Sequence, residues 1–138
     1  MLALAKARPG GLIWREMADI LIIDDDDMFR DVLASALEQG GHKVRQATNG
    51  VEGLQMFHAQ PAELVITDIV MPEKEGLDTI RDLRRDFPQA RIIAMSGGLA
   101  HDPKLYLHMA EKFGATAVLA KPFHLGDLKR VVDEALKA

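Results

Sequence analysis

The chain contains no cysteine among its 138 residues. That excludes disulfides, thiolate metal sites and thiol chemistry. No apolar run approaches the ~20 residues that a membrane-spanning helix needs, and there are no internal repeats and no low-complexity linker. Positive charge is outnumbered, with 17 Lys and Arg against 21 Asp and Glu. The formal net charge is −4, and it is unevenly spread. Residues 1–16 carry Lys6, Arg8 and Arg15 against Glu16, a balance of +2, so the rest of the chain carries −6. An acidic body lacks the basic patch that phosphate backbones require. No helix-turn-helix pattern is present either, so no direct nucleic-acid partner is expected.

What remains is a composition of 48% hydrophobic and 28% charged residues, which is ordinary for one soluble domain with a normal core. The first residues read apart from that domain. Their apolar stretch is too short, and too closely followed by basic residues, for a signal peptide. Gly10-Gly11 separates them from the rest of the chain, and Met17-Ala18-Asp19-Ile20 reads as a natural start. Residues 1–17 are therefore expected to be an extension, disordered or an appended tail, with residues 18–138 as the folded domain. An arm anchored by Trp14 is the alternative.

Short apolar runs alternate with helical periodicity along that domain. The runs are Ile20–Ile23, Val44–Ala47, Leu64–Thr67, Ile92–Met95 and Thr116–Ala120. Near-continuous hydrophobicity of this length is what parallel strands covered on both faces show. Five amphipathic segments lie between and after them. Phe29, Val32, Leu33, Ala36 and Leu37 share a face of the first, which Gly40-Gly41 can end. Val51, Leu54 and Phe57 mark the second, opened by Thr48-Asn49-Gly50. Leu77, Ile80, Leu83 and Phe87 mark the third. Asp102-Pro103 reads as a cap for the fourth, with Leu105, Tyr106, Met109 and Phe113 inward. Leu125, Leu128, Val131, Val132, Ala135 and Leu136 line the fifth. Strict β-α alternation implies an α/β fold, a parallel sheet between two helical layers with right-handed crossovers.

The most informative junction is Asp24-Asp25-Asp26-Asp27, directly behind Ile20-Leu21-Ile22-Ile23. Taken alone, such a run reads as a solvated loop or a helix cap. A second strand of the same design changes that reading, because Leu64-Val65-Ile66-Thr67 runs into Asp68. The fourth strand ends at Ser96 and the fifth at Lys121. In an open α/β sheet the carboxyl ends of the strands border the functional crevice, so these polar groups converge on one edge. Clustered carboxylates persist when a cation neutralises them, and oxygen-only ligands suit a hard ion such as Mg²⁺. A lysine opposite them supplies a compact charge for a phosphoryl oxygen, and Ser96 a hydrogen bond. Gly97-Gly98 leaves backbone amides open to approach. A carboxylate in such a site can act as a nucleophile and form an aspartyl phosphate.

At these residues the chain resembles the receiver domain of two-component response regulators. The resemblance covers residues 18 to about 137. It rests on Ile-Leu-Ile-Ile-Asp24-Asp25-Asp26, on Leu-Val-Ile-Thr-Asp68-Ile-Val-Met71-Pro72 with Gly76 beyond it, on Ala94-Met95-Ser96-Gly97, and on Ala120-Lys121-Pro122-Phe123. It implies a single-domain (βα)5 doubly wound, flavodoxin-like sandwich with strand order 2-1-3-4-5. It implies Asp68 as phosphoacceptor, Asp25 as a direct Mg²⁺ ligand, Asp24 as a ligand mostly through water, and the Val70 carbonyl as a further ligand. Ser96 would be the switch hydroxyl, Lys121 would contact the phosphoryl group with its Lys-Pro bond in cis, and the backbone at Val70 and Gly97 would border that group. Asp26 and Asp27 read as capping or surface residues.

Two features depart from the family pattern. Val118 stands where many receivers carry an aromatic switch residue. Val70 and Gly98 lack side chains that could place an attacking water, which leads to the expectation of a comparatively long-lived phosphoryl state. The five histidines are scattered, and each reads as a surface or locally satisfied residue. Met28, Met56, Met71, Met95 and Met109 read as core or core-edge filler, and Arg81–Asp86 as a solvated helix face with internal ion pairs.

The implied function is a phosphorylation-controlled switch module, not a turnover enzyme, located in the cytoplasm and off the membrane. Its donor would be a histidine kinase or a histidine phosphotransfer protein and its target a downstream protein, with the chain a monomer or weak homodimer. The alternative is the receiver portion of a larger regulator with a DNA-binding or enzymatic output. A Mg²⁺-dependent phosphatase with an aspartyl nucleophile fits less well, because Val70 holds the position where that class carries a second carboxylate.

Overall fold

The structure, a computed structural model, describes residues 17–69, 76–96 and 103–137. Among the described residues, strands and helices alternate: β1 (Asp19–Ile23), α1 (Asp27–Gln39), β2 (Lys43–Ala47), α2 (Gly50–Ala59), β3 (Leu64–Asp68), α3 (Gly76–Asp86), β4 (Ile92–Ser96), α4 (Pro103–Phe113), β5 (Ala117–Ala120) and α5 (Leu125–Lys137). All pairings are parallel and the sheet order is β2-β1-β3-β4-β5. This is the expected doubly wound α/β sheet. The order reverses between β1 and β3, so the crevice between their carboxyl ends is the topological switch point.

Strand alternation divides the core between the two faces of the sheet. Ile20, Ile22, Leu64, Ile66, Ile93 and Met95 face α1 and α5, meeting Leu33, Leu37, Leu128 and Val132. Leu21, Ile23, Val65, Ile92 and Ala94 face the other layer, meeting Phe57 of α2, Leu77, Ile80 and Leu83 of α3 and Ala110 of α4. Ile20 to Ile23 and Leu64 to Ile66 are fully buried. Consecutive apolar residues are needed because both faces are covered.

Two glycines record close approaches. A Cβ on Gly53 of α2 would overlap the Ile23 side chain, and one on Gly76 would overlap the backbone carbonyl of Asp68. The latter lets α3 begin directly against the end of β3, where the Gly76 N–H donates to the Ile69 carbonyl at 2.7 Å.

Several caps follow the sequence. The Asp26 side chain accepts from the Phe29 N–H and that of Asn49 from the Glu52 N–H, opening α1 and α2. Gly40 ends α1, and Gly41 follows at φ 94°. His42 is buried and its Nδ1 accepts the Ala18 N–H at 3.1 Å, a locally satisfied histidine as expected.

The helix faces are narrower than the sequence pattern implies. Val32, Val51, Leu105 and Leu125, expected inward, are exposed, and so is Met28. Met28, Val51, Leu105 and Leu125 belong to the first turns of their helices. Gly50 in the first turn of α2 is nonetheless buried, so the exposure belongs to these side chains and not to whole turns. Val32 lies on α1 about a quarter-turn round from buried Leu33. Asp82 departs from the solvated reading of Arg81–Asp86 and is buried. The expectations for residues 1–16, the Asp102 cap, Met71 and the Tyr106 side chain lie outside the described residues.

Candidate functional site

The end of β1 delivers Asp24 into the crevice at 0% exposure, while Asp25, the next residue, is exposed. The Asp24 N–H donates to the Ala47 carbonyl at 3.2 Å, which ties the strand end to β2. Its Oδ1 accepts the Asp26 N–H at 2.9 Å. The loop therefore folds over Asp24 and leaves Oδ2 directed at the remaining polar groups.

Asp68 closes β3 beside it. One carboxylate oxygen from each of Asp24, Asp25 and Asp68 can be chosen so that all lie within 4.8 Å of one another. Three like charges at this separation repel, and the cation supplied by the chain is Lys121, from the end of β5. Its Nζ lies 3.2 Å from Asp24 Oδ2 and 3.5 Å from Asp68 Oδ2. The Lys121 N–H donates to the Ser96 carbonyl at 2.7 Å, and the Lys121–Pro122 bond is cis. The same ammonium stands 4.1 Å from the centroid of the Phe29 ring, and Phe29 meets Phe123 edge to face at 5.9 Å. The lysine is thus held by a strand end, two carboxylates and an aromatic face.

Ser96 ends β4 one residue beyond Met95, the register partner of Asp68. It is wholly buried, and its Oγ has no hydrogen-bond partner among the described residues. An unpaired buried hydroxyl costs about 1–3 kcal/mol, and such groups call for an explanation such as a missing ligand. An incoming oxyanion at Asp68 would offer an acceptor. The donor set is equally specific. Carboxylates alone, with no nitrogen or sulfur ligand, suit Mg²⁺ or a similar hard cation, so the residues present fit that ion.

The structure therefore brings Asp24, Asp25, Asp68 and Lys121 together and places Ser96 at the adjoining strand end. Asp26 caps α1, and Asp27 is largely exposed and paired with Arg30 at 2.7 Å, so neither joins the cluster. Val118 lies on β5 opposite Ala94, partly buried against the α2–α4 layer. Val70, Gly97 and Gly98 lie outside the described residues.

Sequence reasoning misses Arg30 and the part played by Phe29. Arg30 is 8% exposed and donates to the Asp24 backbone carbonyl, to Gln46 and to Asp27. A signal exists, since Asp27 and Arg30 stand at the i, i+3 spacing that pairs charges on a helix. Phe29 reads from periodicity only as a core residue.

Fold and site together define a doubly wound signalling module with an acidic cluster at its switch point. The chain belongs to the response regulator receiver domain family, whose model matches residues 20–133. It is 34% identical over 124 residues to the response regulator receiver protein CpdR of Brucella abortus, covering 88% of this chain and 99% of that one. It is 39% identical over 121 residues to the DNA-binding transcriptional regulator NtrC of Azospirillum brasilense, covering 88% of this chain but only 24% of NtrC. A solved receiver domain protein from Clostridium thermocellum superposes with a TM-score of 0.81 at 31% identity, covering 88% of this chain and 95% of that one. Receivers of this family occur both alone and as portions of longer regulators. Among the described residues, no helix is long and apolar enough to cross a membrane.

Proposed function

We propose that residues 18–138 form a receiver that takes a phosphoryl group onto Asp68 in a Mg²⁺-dependent reaction and thereby switches a protein-binding surface. The donor is a histidine kinase or a histidine phosphotransfer protein. A carboxylate oxygen of Asp68 forms the new bond to phosphorus as the bond from phosphorus to the donor imidazole breaks, and that nitrogen keeps the electron pair. Asp25, Asp68 and the Val70 carbonyl would hold the cation directly, and Asp24 mostly through water. Bound there, Mg²⁺ neutralises phosphoryl oxygens while negative charge spreads over them. Lys121 contacts one oxygen and Ser96 donates to another, with the Gly97 backbone beside them. Val118 leaves the switch without an aromatic gate. The protein acts once per phosphoryl group as a switch and does not turn over a substrate.

The observation that carries this reading is the bridging of Asp24 and Asp68 by Lys121 at 3.2 and 3.5 Å, beside a buried Ser96 hydroxyl that has no partner among the described residues. Incubation with Mg²⁺ and acetyl phosphate, read by intact mass, tests it. Gain of one phosphoryl group that needs both Mg²⁺ and Asp68, and is lost in Asp68→Asn, is expected. Failure of the unaltered chain to gain that mass from acetyl phosphate and from a panel of histidine kinases would sink it. The coverage of NtrC supports a second reading, in which these residues are the receiver portion of a longer regulator. The size of the gene product separates the two.

A further inference from the structure

We infer that Arg30 is a positioning residue for the metal-holding loop, fixing the Asp24–Asp25 peptide in the orientation that presents Asp25 to the cation. The inference rests on the proposed reading of the carboxylates as a Mg²⁺ site. Arg30 lies in the first part of α1 and is 8% exposed, an unusual degree of burial for a charged group. Its Nη1 donates to the backbone carbonyl of Asp24 at 2.7 Å, its Nε to Gln46 Oε1 at 2.9 Å and its Nη2 to Asp27 Oδ1 at 2.7 Å. One planar fork thus joins the β1–α1 loop, the first turn of α1 and the edge strand β2.

The carbonyl of Asp24 and the nitrogen of Asp25 belong to a single planar peptide unit. Holding that oxygen fixes the plane from which the Asp25 side chain departs. Asp24 is secured independently, through its N–H to Ala47 and its Oδ1 to Asp26. Asp25 is exposed, so the backbone and not side-chain packing sets its direction. The Arg30 contact to the carbonyl governs the one member of the cluster that the core does not hold.

Charge and position make opposite demands, which allows them to be told apart. A guanidinium near a cation site repels the cation, so loss of its charge alone tightens Mg²⁺ binding. Loss of the fork loosens the ligand and weakens binding, as mutation of groups that orient metal ligands does by about 10–100-fold. Lysine keeps the charge, but a single ammonium cannot reproduce a rigid three-way fork.

The experiment is calorimetric titration of the whole chain with MgCl₂, for the unaltered protein, Asp25→Asn, Arg30→Met, Arg30→Lys and Gln46→Ala, each checked for folding by circular dichroism. Positioning predicts that both Arg30 variants bind Mg²⁺ about tenfold more weakly. Gln46→Ala removes only an exposed acceptor of the same fork and is expected to shift affinity in the same direction, which keeps the test open if Arg30→Met fails to fold. Binding by Arg30→Met as tight as, or tighter than, that of the unaltered chain overturns the inference, as does full restoration by Arg30→Lys. Absence of Mg²⁺ binding in the unaltered chain, or binding indifferent to Asp25→Asn, overturns the metal reading and this inference together.

Discussion

Lys121 and Asp24 form an ion pair across the sheet, with Nζ 3.2 Å from Oδ2 of a carboxylate that has no solvent exposure. The two residues are 97 positions apart in sequence and meet because β1 and β5 end at the same edge. Removing one partner of a buried pair leaves an uncompensated charge. Lys121→Met is therefore expected to destabilise the Mg²⁺-free protein by about 3 kcal/mol at neutral pH, the lower part of the range for such deletions. Urea unfolding measures this. Millimolar Mg²⁺ should recover part of the loss, since a divalent cation supplies the missing positive charge. An unchanged unfolding midpoint would show that solvent already screens the pair.

Asp25 is the exposed member of the three-carboxylate cluster. On the proposed reading it would add repulsion in the absence of a cation and affinity in its presence. Asp25→Ala is expected to gain about 1 kcal/mol without Mg²⁺, the usual scale for relieving a strained functional site. It should also lose most of the stabilisation that added Mg²⁺ confers through binding linkage. Melting temperatures with Mg²⁺ and with chelator give both effects, and a variant that is less stable in chelator contradicts the argument.

Gly76 begins α3 where a Cβ would meet the Asp68 carbonyl and the Ile69 Cα, which are backbone atoms that cannot turn aside. Gly76→Ala must push α3 off the end of β3. Overpacking of this kind costs about 1–3 kcal/mol. Because the displaced backbone carries Asp68, the rate of mass gain from acetyl phosphate should fall along with stability. Wild-type kinetics in a destabilised Gly76→Ala protein would separate the helix position from the chemistry.

Asp86 offers a titration test away from the site. Its carboxyl is held below the ordinary value of 3.8, chiefly by the hydrogen bond from Arg85 at 2.9 Å, then by the one from His58 at 3.1 Å, with burial opposing. A folded-state value below the unfolded one adds stability above the unfolded pKa, and that stability is lost as pH falls through the folded value. The side-chain carboxyl resonance should titrate below 3.8, and Arg85→Gln should move it upward. A midpoint at or above 3.8 in the unaltered chain would refute the assignment.

The fold is legible because β1, β3 and β4 are nearly uninterrupted apolar segments that stop at polar residues. The apolar runs Ile20–Ile23, Leu64–Thr67 and Ile92–Met95 differ from the observed strands by a single residue at one end. The site is legible for the same reason, since Asp24, Asp68, Ser96 and Lys121 each terminate or directly follow a strand. Helix periodicity overstates burial. It shows which residues are apolar and not which of them the sheet and neighbouring helices cover, so it puts Val51, Leu105 and Leu125 inward although they are exposed. Arg30 escapes notice because burial of an arginine depends on acceptors from β1, β2 and α1 at once. No local pattern encodes that convergence.

The Ser96 hydroxyl, which has no partner among the described residues, also bears on how the proposed switch would be biased. A buried donor without an acceptor would carry a desolvation cost in the unphosphorylated arrangement. A phosphoryl oxygen on Asp68 would remove that disadvantage, worth about 1–3 kcal/mol, or roughly 5- to 150-fold in the ratio of two conformations. On the proposed reading, phosphorylation would relieve a cost that the end of β4 holds in reserve.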